Sequence, residues 1–361
     1  MKILFVDLEI EWRGGQNQAL LLLKGLKARG DTAELVAVKG SALGEHAAAK
    51  GVKVHAVAGR TARISAALKI FELTRNGSWD VVHANEPHAV SAAWLARAHR
   101  RAPFVISRRV GYPLGKGRLA LARYKTAARL IAISTWVAEQ LTASGAPREK
   151  LVVVHEGVEM PTLPTREERQ RARIRWGISE AAPLLGSVGV LLPDKGHEFL
   201  IRALAPLRGE FPQCRLLLAG DGPCRPILER LANELGVSEM VIFAGFVADI
   251  EVVYCAFDVF LFPSFFEGLG TSLLAAMSYE VPAVAFLCCA FQEIIESGKN
   301  GLLVETGNIS ELVNAVTLLL RDDAFARTIG EAGRERIGDR FSSERMVEEM
   351  IKIYREVCTS A

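Results

Sequence analysis

The sequence has no long apolar run, no cysteine pattern typical of a metal site and no targeting segment at its start. The longest apolar stretch, VPAVAFLCCAF at 281–291, is too short to cross a bilayer. Asp7 interrupts the opening MKILFVDLEI, which argues against a signal peptide or an anchor. The six cysteines form neither a C-x-x-C pair nor a zinc spacing, so reduced thiols are expected. These absences predict a globular cytoplasmic protein without a bound metal.

Negative charge is missing from one long segment. The net charge is only +3, yet no acidic residue lies between Pro87 and Trp136. We call this segment the basic block, and its ten cations are Arg97, Arg100, Arg101, Arg108, Arg109, Lys116, Arg118, Arg123, Lys125 and Arg129. It is expected either to attract an anionic partner, a phosphorylated acceptor or an acidic membrane surface, or to be a solvated face. Nucleic acid is not expected, because aromatic residues are not interleaved with the cations.

Short strand-like runs alternate with helix-like segments along the chain. The runs are KILFVD, AELVAVK, VKVHAV, DVVHAN, PFVISR, RLIAIS and LVVVHE, then LLGSVG, RLLLAG, MVIFAG, DVFLFP, PAVAF and GLLVE. This alternation predicts an α/β protein with two doubly wound, Rossmann-like parallel-sheet domains facing a cleft. The expected domains are 1–162 and 166–340, joined at the proline-containing MPTLPT. The tail, 343–361, has a helical pattern and is expected to pack across the domains.

Four segments in the second half place a glycine or polar turn between a strand and a helix. They are GSVGVLLPDKGHEFL, AGDGPCRPILERL, AGFVADIE and FPSFFEGLGTSLLAAM. Helix N-termini bind anions, so these turns could hold a diphosphate without a metal, and Lys195 adds a cation. AGDGP is not G-x-G-x-x-G, and no phosphate-loop motif occurs, which argues against a nicotinamide cofactor or a P-loop nucleotidase. Asp221 is either part of such a site or a turn residue.

The order and spacing of these segments resemble the retaining GT-B glycosyltransferases of group 1 (family 4). WRGGQNQALLLL, IAISTWVAEQL, VVVHEGVE and FQEIIESGKNGLLVETGN carry the resemblance together with the four turns, over nearly the whole length. It implies that the C-terminal domain binds a nucleotide-diphosphate sugar, the donor, and that the N-terminal domain binds the acceptor. It also implies transfer with retention, without metal and without a cofactor other than the donor substrate.

The resemblance assigns roles to individual residues. Glu267 corresponds to the first glutamate of the family's E-x(7)-E motif and should bind the donor sugar's hydroxyls. Lys195 should bind the diphosphate, and Arg109, or Arg108, should reach across the closed cleft toward the donor. The expected substrate-binding positions are Gly14, Gly15, Gly189, Gly220, Gly222, Phe246, Val247, Gly268, Leu269, Gly270, Thr271, Ser272 and Glu293.

Four residues, at three places in the sequence, depart from the family pattern. Ala275 stands where the second glutamate, which holds the ribose, is usual, and Val190 stands where an arginine is usual. Arg108 and Arg109 follow a strand after which many relatives carry a histidine. A conventional donor pose therefore needs other ribose and diphosphate contacts.

Two alternatives stay open beside the transferase. One is a sugar-nucleotide epimerase or hydrolase of the same fold that uses Glu9, Glu11 or Glu86. The other is a non-catalytic nucleotide-binding descendant. For a transferase, a cell-envelope glycolipid or a lipopolysaccharide-type glycan is the expected acceptor, and the enzyme is expected at the inner face of the membrane. The sequence determines neither the base, nor the sugar, nor the oligomeric state.

Overall fold

A computed structural model describes residues 1–115 and 118–359, so Lys116 of the basic block lies outside the described residues. The chain forms two compact units. The first contains Met1–Gly157 and the segment that starts at Ser342, and the second is Val158–Phe341.

The division lies before the predicted linker 160–165, because that segment packs within the second unit. The backbone N–H of Val158 donates to the carbonyl oxygen of Phe341 at 2.9 Å. The Arg334 guanidinium donates to the carbonyl oxygen of Pro161 at 2.8 Å. The prolines therefore follow the division.

The first unit contains a seven-stranded parallel sheet in the order β3-β2-β1-β4-β5-β6-β7. Its strands are β1 (Lys2–Val6), β2 (Thr32–Val38), β3 (Lys53–Val57), β4 (Val81–Ala84), β5 (Phe104–Arg108), β6 (Arg129–Ala132) and β7 (Leu151–Val153). Its helices are α1 (Gly14–Ala28), α2 (Ala42–Ala49), α3 (Ala62–Asn76), α4 (Pro87–Leu95), α5 (Arg118–Lys125) and α6 (Thr135–Ala143). Ser41, Glu86 and Ser134 cap α2, α4 and α6 with their side chains.

The second unit contains a six-stranded parallel sheet in the order β10-β9-β8-β11-β12-β13. Its strands are β8 (Leu184–Val188), β9 (Arg215–Ala219), β10 (Val241–Gly245), β11 (Val259–Phe262), β12 (Ala283–Phe286) and β13 (Leu302–Val304). Its helices are α7 (Arg166–Ile174), α8 (His197–Leu207), α9 (Arg225–Glu234), α10 (Ile250–Ala256), α11 (Thr271–Ser278), α12 (Phe291–Ile294), α13 (Ile309–Arg321) and α14 (Asp323–Phe341).

The predicted fold class is confirmed, and every strand-like run overlaps an observed strand. In each sheet the strand order reverses once, between β1 and β4 and between β8 and β11. Parallel α/β sheets bind ligands at the carboxyl ends of the strands beside such a switch point. The loops after β1, β4, β8 and β11 are therefore where functional side chains are expected.

The last helix, α15 (Ser343–Thr359), belongs to the first unit. Its apolar stripe, which includes Val347, Met350 and Tyr354, is buried in that unit's core with the leucines of α1. The two helices touch closely at Gly25, where a Cβ atom would lie 2.4 Å from Val347. The tail was expected to pack across the domains, and its buried side chains lie in the first one. Among the described helices, none combines the length and apolarity needed to cross a bilayer.

Candidate active site

The second unit brings together two of the predicted catalytic side chains at its switch point. Lys195 ends the loop after β8, and Glu267 lies in the loop after β11, 72 positions away. The Lys195 ammonium donates a hydrogen bond to the Glu267 carboxylate, and the Ser264 hydroxyl lies 3.4 Å from the same oxygen. Each side chain of the ion pair is only 20% exposed. An ammonium and a carboxylate therefore lie together at the sheet edge, where both are largely shielded from solvent.

Glycines allow the surrounding loops to pack backbone against backbone. Gly196 has φ +65°, and a Cβ there would lie 2.2 Å from the carbonyl oxygen of Pro263. Gly220 has φ +141°, and its Cβ would lie 1.9 Å from the carbonyl oxygen of Gly189. At Gly222 a Cβ would lie 2.5 Å from a carbonyl of the loop after β8. Gly189 itself faces open space. The loops after β8, β9 and β11 thus form one tightly packed platform.

Helix α11 begins directly beside this platform. Gly270, with φ +104°, precedes it and offers no side-chain cap. The N–H groups of the first turn, at Thr271 and Ser272, have no partner inside the helix. Leu269 is buried, so only its backbone can meet a ligand. Gly268 lies between Glu267 and this turn.

The other residues that were predicted to bind the donor substrate lie at separate points along the same sheet edge. The Phe246 side chain is 81% exposed after β10, whereas Val247 is buried. Glu293 lies on the short helix α12. Val190, where the family's arginine is missing, is half-exposed, and Ala275 is half-buried on α11. Val190 and Ala275, the two residues that depart from the family pattern in this unit, are therefore both at least partly exposed to solvent.

At the carboxyl edge of the first sheet lies a buried polar network. Asp7, after β1, accepts hydrogen bonds from Asn85 at 2.6 Å and Gln16 at 3.2 Å. Asn85 accepts from Arg109 at 2.8 Å, and Arg109 donates to Glu156 at 2.5 Å. Burial raises the pKa of the Asp7 carboxyl, which the hydrogen bond from Asn85 opposes.

Arg109 is held inside the first unit rather than presented as a free cation. Its side chain is 16% exposed and is shared between Asn85 and Glu156. A Cβ on Gly15 would lie 3.1 Å from its Cδ, so Arg109 supports the turn Gly14–Gly15 at the start of α1. Arg108 is buried, and its Nε and Nη2 groups donate to the carbonyl oxygens of Val110 and Tyr112.

His83 is buried with both ring nitrogens engaged. One contacts the Tyr354 hydroxyl at 2.5 Å and the other the Ser107 hydroxyl at 2.7 Å. Burial, with a smaller effect of Arg109, lowers the pKa of His83 to about 3. The imidazole is therefore neutral at physiological pH and ties α15 to the sheet edge.

Comparisons with known proteins show which family the chain belongs to. Residues 168–336 match the family described as "Glycosyl transferases group 1", and residues 13–157 match the "Glycosyl transferase 4-like domain". The chain belongs to the group 1 family of glycosyltransferases, which have the GT-B fold. Its first curated relatives are matched over only 49% and 63% of their own length.

Two curated relatives and one solved structure are examples of proteins that the chain is similar to. A GDP-mannose-dependent alpha-(1-6)-phosphatidylinositol monomannoside mannosyltransferase of Mycolicibacterium smegmatis is 32% identical over 62% of this chain and 63% of its own. The lipopolysaccharide core biosynthesis glycosyltransferase LpsE of Rhizobium meliloti is 28% identical over 81% and 80%. The crystal structure of Anabaena Alr3699/HepE in complex with UDP superposes with a TM-score of 0.88 at 22% identity, covering 99% of this chain and 100% of that one.

The first unit has a cavity that sequence reasoning missed. It measures about 740 Å³ and is lined by the loops after β1 and β3, by the end of β2, by the start of α3, and by α4 and α5. Two of its arginines, Arg63 and Arg123, make no ion pair with a carboxylate among the described residues. The Arg123 guanidinium donates to the Ser91 hydroxyl at 2.7 Å. Ile10, Ile64 and Leu95 line it with side chains that are more than half exposed. The cavity therefore combines cationic and apolar walls.

The same cavity has an acidic edge. Atoms of Glu9, Glu86 and His88 that could bind a cation lie within 4.8 Å of one another. Burial, reinforced by the Asp7 carboxylate, raises the pKa of Glu86 to about 8, although three backbone N–H groups oppose this. The Glu86 carboxyl group thus holds its proton more tightly than that of an ordinary glutamate.

Only sparse signals for the cavity exist in the sequence. Ile10 stands alone between Glu9 and Glu11, and Ile64 lies in the first turn of α3, whose apolar residues do not all face the core. An apolar residue at an exposed position is common, so neither would have identified a binding site.

Proposed function

We propose that this glycosyltransferase moves a sugar from a nucleotide-diphosphate donor to an anionic, amphiphilic acceptor, a cell-envelope glycolipid or lipopolysaccharide-type glycan. Transfer proceeds with retention and without metal. The observation that supports this proposal most strongly is the ion pair between Lys195 and Glu267, which lies beside the uncapped start of α11. The chemistry of that pair matches the two halves of such a donor, an anionic diphosphate and a hydroxyl-rich sugar.

In the proposed donor complex, Lys195 turns toward the diphosphate and Glu267 accepts hydrogen bonds from sugar hydroxyls. The N–H groups at Thr271 and Ser272 and the positive end of α11 also face the diphosphate. These preorganised charges stabilise the negative charge that develops as the bond to the anomeric carbon breaks. The departing phosphate oxygen takes the acceptor's proton on the same face, which accounts for retention.

Arg109 enters this scheme as a positioning residue. Its guanidinium is neutralised by Glu156 and braces Gly15, so its effect on transfer acts through the glycine turn. Arg109→Ala should therefore reduce kcat more than nucleotide affinity. Arg109→Lys should restore little, since one ammonium cannot bond Asn85 and Glu156 in the planar geometry of a guanidinium.

The cavity of the first unit is the proposed acceptor site. Arg63 and Arg123 suit a phosphate or carboxylate headgroup, while Ile10, Ile64 and Leu95 suit an apolar chain. The names of the two curated relatives, a phosphatidylinositol mannoside enzyme and a lipopolysaccharide core enzyme, support the same class of acceptor. An acceptor embedded in a bilayer would bring the enzyme to the inner face of the membrane.

Transfer assays with UDP-, GDP- and ADP-sugars and anionic lipid acceptors test the proposal directly. Product should form in the presence of EDTA, and a requirement for Mg²⁺ would contradict the metal-free mechanism. Binding to vesicles should need anionic lipid, weaken with salt and fall in Arg63→Ala and Arg123→Ala. Arg345→Ala, which removes an exposed arginine of α15 paired with Glu349, is the matched control.

A second function, hydrolysis or epimerisation of the donor, is favoured by Glu9, Glu86 and His88 at the cavity edge. A carboxyl group with a pKa near neutrality suits acid–base catalysis. Consumption of the nucleotide sugar without any acceptor, lost in Glu86→Gln, would support this function. Nucleotide binding with no turnover under any condition would instead indicate a non-catalytic descendant.

A further inference from the structure

Helix α3 exposes apolar side chains on the face that points away from the core. Its buried residues Ala66 and Ile70 lie on the side that packs against β2, β3 and α4. On the other side, Ile64, Leu68 and Phe71, which we call the α3 stripe, are 62%, 68% and 39% exposed. These positions are four and three residues apart, so their side chains share one helical face. Single exposed apolar residues are ordinary, whereas several on one face are typical of an interaction surface.

The α3 stripe adjoins the cavity of the first unit. Ile64 belongs to both, because it lines the cavity together with Ile10 and Leu95, whose side chains are also more than half exposed. Arg63, the residue before it, lines the cavity as well. An apolar surface therefore extends from the outer face of α3 to the cavity wall.

The surroundings of the α3 stripe are strongly cationic. The segment 97–101 contacts α3 through its short helical turn and carries three cations of the basic block, which we call the arginine turn: Arg97, Arg100 and Arg101. The Arg101 guanidinium lies over the Phe71 ring, 4.4 Å from its centroid. The single carboxylate of α3, Glu72, pairs with Lys69 at 2.7 Å. Together α3 and the arginine turn carry six cations and this one carboxylate, a net charge of +5.

A helix of this kind suits the surface of an anionic bilayer. Amphipathic helices with an apolar stripe and flanking arginines lie in the plane of the interface, and the cations bind anionic headgroups. With 15 residues α3 is about 22 Å long, too short to cross the apolar core of a bilayer but able to lie along it. A second copy of the chain suits this face poorly, because a two-fold contact would place the same positive surface against itself.

We propose that α3 is the element through which the protein contacts an anionic membrane. The α3 stripe lies at the boundary between headgroups and acyl chains, and the arginine turn binds headgroup phosphates. The route of the acceptor rests on the proposed function: if the cavity is the acceptor site, a lipid acceptor enters it past Ile64 directly from the bilayer, without crossing water.

Sedimentation with vesicles, using the whole chain, tests the contact. The vesicles contain phosphatidylglycerol and phosphatidylcholine in equal parts, or phosphatidylcholine alone. Binding to the anionic vesicles should fall at least about fivefold in Leu68→Ser, which removes an apolar side chain from the contact. Ile174→Ser, the matched control, removes a side chain that is 65% exposed on α7 and should bind as the unmodified protein does. Equal binding by all three proteins would overturn the proposal.

Salt separates the apolar part of the contact from the charged part. Arg100→Ala should weaken binding at low salt and have little further effect at about 1 M, where the screening length is about 3 Å. Leu68→Ser should weaken binding by a similar factor at both salt concentrations. If the effect of Leu68→Ser also disappears at high salt, the stripe does not enter the bilayer and the proposal fails.

A tryptophan in place of Leu68 reports where the stripe lies. Lipids with brominated acyl chains quench tryptophans that reach them. The emission added by Leu68→Trp should be quenched by anionic vesicles of such lipids, and that added by Ile174→Trp should not. Quenching of neither tryptophan, or of both equally, would overturn the proposal. Thermal unfolding checks each variant, and Leu68 is exposed enough for its replacement to leave the fold intact.

Two further measurements separate this inference from other occupants and from the proposed function. Without lipid, a dimer that Leu68→Ser dissociates would overturn the proposal, since a second copy would then cover the stripe. In transfer assays, Leu68→Ser should be slower with an acceptor held in vesicles and unchanged with a short-chain, water-soluble form of it; equal loss with both would overturn the route past Ile64. If the unmodified protein uses neither form, the proposed function fails, and vesicle binding and quenching still decide the membrane contact.

Discussion

Replacing Glu267 with glutamine should separate nucleotide binding from sugar transfer. In the protein, Lys195 donates to Glu267, and each side chain is 20% exposed. A diphosphate that arrives at Lys195 must therefore compete with a carboxylate already bound there. Glu267→Gln keeps the shape and one oxygen acceptor but removes the charge. We expect nucleoside diphosphate affinity to rise while transfer falls, because an amide binds sugar hydroxyls less strongly than a carboxylate.

The size of the gain follows from the burial of the pair. A hydrogen bond to a charged group contributes about 1.5 to 3 kcal/mol, and a fully exposed ion pair about 0 to 1 kcal/mol. A pair that is largely but not fully buried falls between these ranges, at about 1.5 kcal/mol. Glutamine retains a neutral hydrogen bond of about 0.5 to 1 kcal/mol, which leaves a difference of about 0.5 to 1 kcal/mol. Nucleoside diphosphate affinity should rise about two- to fivefold.

Isothermal titration calorimetry with UDP, GDP and ADP measures this change. Glu296→Gln is the matched control, because Glu296 forms an ion pair with Lys299 in the same unit and both side chains are more than half exposed. That variant should bind nucleotide as the unmodified protein does. A fall in affinity in Glu267→Gln would refute the reasoning, since it would mean that Glu267 itself binds the nucleotide rather than competing for Lys195.

Other predictions concern the loops and the buried histidines. Ala275→Glu should strengthen nucleoside diphosphate binding by about 1 to 2 kcal/mol in calorimetry, and a loss would show that the pocket is built around alanine. Gly220→Ala should lower the free energy of unfolding by at least about 2 kcal/mol in denaturant titrations, whereas Gly189→Ala, whose Cβ meets open space, should leave it within about 0.5 kcal/mol. Burial, aided by Lys195, lowers the pKa of His197 to about 4. Because the unfolded chain binds this proton near pH 6.5, stability should fall as the pH drops from about 6.5 to 4, by up to about 1.4 kcal/mol per unit. His197→Gln should reduce that slope without abolishing it, because His83 contributes over the same window; an unchanged slope would contradict the assignment.

The strands were predictable because each signal is local. A run such as DVFLF needs only apolar residues and a following proline to indicate a strand buried on both faces. Parallel sheets then place the carboxyl ends of such strands on one edge, so the loops containing Lys195 and Glu267 could be placed there before the structure was known.

The contacts between those loops were not predictable in the same way. An ion pair across 72 positions depends on how the loops after β8 and β11 pack, which Gly196 permits through its close approach to Pro263. Arg109 illustrates the same limit. The basic block indicated a cation for a ligand, but the fold surrounds it with Asn85 and Glu156, residues that come from distant loops.

The position of α15 has a consequence for biosynthesis. The face of α1 that Val347, Met350 and Tyr354 cover is made first, and the helix that covers it is made after the whole second unit. At about 5 to 20 residues per second, synthesis of Val158–Phe341 leaves that leucine-rich face exposed for roughly 10 to 40 s. The second unit, continuous in sequence, can complete its core during this interval. The nascent first unit should therefore be the part that chaperones bind, and its fragment 1–157 should aggregate when expressed without residues 342–359.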